Sequence, residues 1–107
     1  MKQELELKSR VREIVKILHQ VAPGNSVELR IPPYAAIQCV SGSVHRRGTP
    51  PNVVEMSGQT LIELIENPIN WDEFCSRGLI SASGTNANLK DLFTIVSKLS
   101  SNSKQGM

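Results

Sequence analysis

The chain has 107 residues, 39% hydrophobic and 21% charged, with twelve Lys+Arg against ten Asp+Glu for a net charge of +2. Those proportions are ordinary for one globular domain, exclude a disordered chain, and carry too little charge to mark a nucleic-acid binder. No apolar run approaches the ~20 residues of a membrane span, and Met1–Lys8 alternates charge with leucine instead of forming the apolar stretch of a signal peptide. One cytoplasmic domain over residues 1–99 is expected, followed by a polar, flexible tail over 100–107.

Residues 3–20 predict an amphipathic helix. Leu7, Val11, Ile14, Val15 and Leu18 recur at helical spacing, with Lys8, Arg12, Glu13 and Lys16 opposite. Pro23-Gly24-Asn25 ends it. Val27 to Ile31 alternates apolar and polar residues, the period of a half-buried strand, with Val27, Leu29 and Ile31 facing inward. Pro32-Pro33 leads into a second strand, Tyr34 to Val40. It is apolar on both faces, which predicts a central position or an extra cover.

Ser41 to Asn52 holds glycines, prolines and the basic run His45-Arg46-Arg47, and reads as a long loop. Val53 to Met56 is a short third strand, and short connections favour an antiparallel meander of the first three. Gly58 to Glu66 predicts a helix. A second begins at Asn70-Trp71-Asp72-Glu73, a capping-box-like start, and ends at Arg77-Gly78. Leu79 to Ser83 is a fourth strand. The last helix runs from Asn88 to Leu99, with Leu89, Leu92, Phe93, Val96 and Leu99 on its apolar face. The order α-β-β-β-α-α-β-α predicts a two-layer α+β domain, a mostly antiparallel sheet of about four strands covered by helices.

The chemistry-bearing residues are sparse. Cys39 and Cys75 have no CxxC spacing, so both are expected to be reduced thiols. His19 and His45 stand apart from any nucleophile or acid pair, and there is no metal-ligand spacing, nucleophile elbow or phosphate-binding glycine motif. No catalysis, metal or cofactor is expected. Arg46 and Arg47 suit a carboxylate or phosphate, either on a ligand headgroup or on a protein partner's acidic patch; solvated surface is the plainer reading. Trp71 is a core anchor or the wall of an apolar pocket.

Two stretches carry a resemblance. Val27-Glu28-Leu29-Arg30-Ile31-Pro32-Pro33-Tyr34-Ala35-Ala36-Ile37-Gln38-Cys39-Val40 is followed by Arg47-Gly48-Thr49-Pro50-Pro51-Asn52-Val53-Val54-Glu55. Together with the glycine-bracketed strand Gly78 to Gly84 and the closing helix, they resemble small bacterial sterol-carrier orthologues of actinobacterial type. The resemblance implies a sterol-carrier-like fold and a cavity between sheet and helices that takes a fatty acid, acyl thioester or other lipid. On that reading the ligand site comprises His45, Arg46, Arg47, Ile37, Cys39, Trp71 and Phe93. The alternatives are a protein-interaction or regulatory module with a filled core, and an accessory domain of a larger enzyme system, since a fold hosts more than one function.

Overall fold

A computed structural model describes residues 2–42 and 50–105. Helix α1 spans Lys2–Val21 and buries Val11, Ile14, Val15 and Leu18, the stripe its spacing predicts. It turns through Pro23-Gly24 into β1 (Val27–Ile31). A tight turn, closed by the Tyr34 N–H donating to the Ile31 carbonyl at 2.8 Å, reverses the chain into β2 (Ala35–Cys39). β3 (Asn52–Met56), α2 (Gly58–Glu66), α3 (Trp71–Ser76), β4 (Ile80–Ser83) and α4 (Lys90–Gln105) follow, with a single 3₁₀ turn at Pro68–Asn70.

The sheet order is β2-β1-β3-β4. β1 pairs antiparallel with β2, Leu29 opposite Ile37, and β3 pairs antiparallel with β4, Val54 opposite Ala82. β1 and β3 are parallel, with Leu29 opposite Val54. The expected meander of the first three strands is therefore corrected. The connection from β2 to β3 is long enough to cross the end of β1, and a parallel pair requires such a crossover. β2 consequently lies at an edge, not in the centre. Its second apolar face amounts to the small Ala36 beside an exposed Gln38, and Val40 leaves the strand at φ 65°.

The helices among the described residues pack on one face of the sheet. That face presents Val27, Leu29, Ile31, Cys39, Val54, Met56 and Ile80, all buried. The other face is open to solvent, and there Arg30 bridges Glu28 at 2.7 Å and Glu55 at 3.9 Å. The strand period thus sorts hydrocarbon inward and charge outward, which is what confines the helices to one layer.

Helix termini follow local chemistry, with one exception. Ser57 caps α2, its Oγ accepting from the Thr60 N–H at 3.1 Å. Asn70 makes no side-chain cap for α3. The 3₁₀ turn runs directly into the helix and leaves Asn70 at φ −79°, ψ 1°, outside the extended geometry that aims a cap side chain inward. At the far end of α3, Gly78 takes φ 77°, and the Leu79 N–H donates to the Phe74 carbonyl at 2.9 Å, the Schellman closure its glycine suits. α4 begins after Asn88, whose Oδ1 accepts from the Lys90 N–H at 3.0 Å, and continues past the expected end at Leu99 to Gln105. Leu89, Phe93 and Val96 form its buried stripe; Leu92 is only half-buried and Leu99 is exposed. Both flank that stripe instead of centring it.

Candidate functional site

The interface between the helices and the sheet is built mainly of apolar side chains. Leu18, Leu29, Ile31, Val54, Leu61, Leu64, Phe93 and Val96 are each 0% exposed. A void able to hold even one water would leave contactable surface on the side chains lining it, and these leave none. The layer interface, expected to contain a cavity, is filled among these residues. Trp71 and Phe93 belong to that filling, stacked with ring centroids 5.9 Å apart at 29°.

The concave features described are grooves on the surface. One of about 560 Å³ runs between α1 and α2 over Leu7 and Ile62, rimmed by Glu6, Arg10 and Glu66. A second of about 530 Å³ lies beside β2, lined by His19, Gly24, Asn25, Ile37 and Gln38.

The polar residues that organise one end of the sheet escape sequence reading. Asn52 opens β3 and is 1% exposed. Its Nδ2 donates to the Ser26 carbonyl at 3.0 Å and to Ser26 Oγ at 3.3 Å, while its Oδ1 accepts from the Asn86 N–H at 2.9 Å. One amide thus ties the start of β1, the start of β3 and the turn after β4. Gly84 (φ 116°) lies against Asn52 Oδ1 and the Pro51 carbonyl, where a Cβ would collide with both. Gly42 packs on Ser26, and Pro50 is buried. The two feet of the basic segment therefore converge on this end of the sheet. The available signal was period two: Asn52 stands in phase with inward-facing Val54 and Met56.

Of the ligand residues predicted from sequence, Ile37, Cys39, Trp71 and Phe93 are among the described residues. His45, Arg46 and Arg47 lie outside the described residues. Ile37 is half-buried on β2, and Cys39 is fully buried on the same strand. Trp71 and Phe93 pack around α3 and α4, and α3 sits against β4, the opposite edge of the sheet. β1 and β3 lie between β2 and β4 in the sheet.

The chemistry of the described residues is subdued. No group of His, Cys, Asp or Glu among them is placed to hold a metal ion. Burial pushes the Cys39 thiol up to about 11, and burial with the nearby Asp72 carboxylate raises Cys75. A protonated thiol is a poor nucleophile. The unfolded Cys39 thiol ionises near ~8.5, so above that pH the unfolded chain releases its proton first. Stability from this group is complete below ~8.5 and is lost as pH rises through about 11. Urea unfolding of wild type and Cys39→Val across that range is expected to show a steeper alkaline decline for wild type. Parallel declines would show that Cys39 contributes nothing.

The family model described as bacterial SCP ortholog matches residues 3–95. The chain belongs to this family of bacterial sterol-carrier-protein orthologues. No curated protein shows a significant match. The four-stranded, helix-covered α+β fold of this sterol-carrier orthologue agrees with the architecture its sequence implied. No helix among its described residues is long and apolar enough to cross a membrane.

Proposed function

We propose that this sterol-carrier orthologue is a non-catalytic binding domain for a hydrophobic ligand, a fatty acid or acyl thioester, which inserts between the helical layer and the sheet. The observation behind this reading is the composition of that interface. Its buried polar residues are Ser26, Asn52 and Thr60. Ser26 and Asn52 bond each other at one end of the sheet, and Thr60 bonds Ser57 at the start of α2. An alkyl chain entering elsewhere meets apolar side chains. Each methylene buried is worth about 0.8 kcal/mol, against which stands the cost of parting packed side chains. Arg46 and Arg47, whose segment is rooted beside Ser26 and Asn52, would then receive the acyl headgroup.

The filled interface favours a second reading, a module that keeps the fold and binds a protein partner through its surface. Delipidated protein titrated with palmitate and with hexadecanol, followed by native mass spectrometry, separates the two. One bound ligand per chain is expected. Arg46→Ala with Arg47→Ala is expected to weaken palmitate about tenfold, the worth of a charge-assisted hydrogen bond, while hexadecanol is unchanged. Protein that takes up neither ligand would leave the partner-binding module as the reading that stands.

A further inference from the structure

A different surface carries an inference independent of lipid binding. β2 is an edge strand, and among the described residues no strand pairs with its outer side. Proteins commonly guard such an edge with lysine, proline or a bulge; Ala35-Ala36-Ile37-Gln38-Cys39 has no charge and no proline. The groove beside β2 has Ile37 in its wall and His19 of α1 above it.

The second half of α1 runs beside this edge. Gly58 sits against both Val11 and Tyr34, which places the middle of α1 at the start of β2, and further on His19 lines the same groove as Ile37 and Gln38. Lys8 and Arg12 fall within about 20° of His19 round the helix, three and two turns before it. The row from Lys8 to His19 is about 17 Å long, and a five-residue strand such as β2 is about as long. The ion pairs among the described residues involve neither Lys8 nor Arg12. Glu13, the acid of this stretch, lies about 100° round the helix from Arg12.

We propose that the free edge of β2, beneath the Lys8–Arg12–His19 row, receives an extended acidic segment of a partner protein as a fifth strand. Main-chain hydrogen bonds supply the pairing, and the basic row selects the sign of the side chains on the helical side. A second copy is a poor occupant. Two-fold pairing of β2 with itself would lay two basic rows side by side.

The test titrates the isotopically labelled full chain with a synthetic peptide of alternating Glu and Val, and with its Lys-Val counterpart. The Glu-Val peptide is expected to shift Ala35–Cys39 amides and slow their hydrogen exchange, and to bind about tenfold tighter than the Lys-Val peptide. Lys8→Glu with Arg12→Glu is expected to reverse that preference, with the thermal midpoint showing that the variant stays folded. Protection appearing elsewhere than β2, equal affinity for the two peptides, a preference untouched by charge reversal, or self-association of the free chain through β2 would each overturn the proposal.

Discussion

Phe93→Ala is expected to destabilise the domain by about 3–5 kcal/mol, the cost of deleting a large aromatic from a packed core. Phe93 is 0% exposed, stacks on Trp71, and lies on the one stripe that docks α4. Domains of this size have only about 5–15 kcal/mol in total. The thermal midpoint should therefore fall by at least roughly 12 °C. Phe93→Leu keeps most of the volume and should cost far less, chiefly the ~0.5–1.5 kcal/mol of the aromatic pair. Equilibrium urea unfolding of both variants measures this. A cost below ~1 kcal/mol for the alanine variant would mean that α4 is loosely docked. It would also mean that the interface between helices and sheet opens cheaply, as ligand entry requires.

Asn52→Ala is expected to cost about 2–4 kcal/mol although it removes no hydrocarbon. The variant leaves the Ser26 carbonyl and the Asn86 N–H without their partner, and an orphaned buried polar group costs about 1–3 kcal/mol. Asn86 is exposed, so water can partly replace its lost bond. Asn52→Asp separates the two roles. A carboxylate still accepts from Asn86, but it faces the Ser26 carbonyl and cannot donate to it. Burial favours the neutral acid, raising its folded pKa above the unfolded ~3.9. This variant should be least damaged below about pH 4 and lose stability relative to wild type as pH rises toward 7. Thermal melts of wild type and both variants across that range provide the check. An alanine variant as stable as wild type would show that Asn52 merely occupies its site.

The sequence by itself determined the main elements and most of their inward faces, because each rests on local periodicity. Val11, Ile14 and Leu18 declare a helix stripe by spacing alone, and Val27, Leu29 and Ile31 declare a strand face. The family was legible from a contiguous string, Arg47 to Glu55, which needs no folding to be read. Strand order was not legible. Nothing local distinguishes a β3 that pairs with β2 from one that crosses to β1, and only the tertiary structure placed β2 at the edge. The same holds for Asn52, whose partners Ser26 and Asn86 are 26 and 34 residues away in the chain. Ile37 and Cys39 shared a predicted site with Trp71 and Phe93 on grounds of type. The fold set Ile37 and Cys39 on one edge strand and Trp71 on the helix against the other, because residue type records what a side chain can do and topology decides which side chains meet.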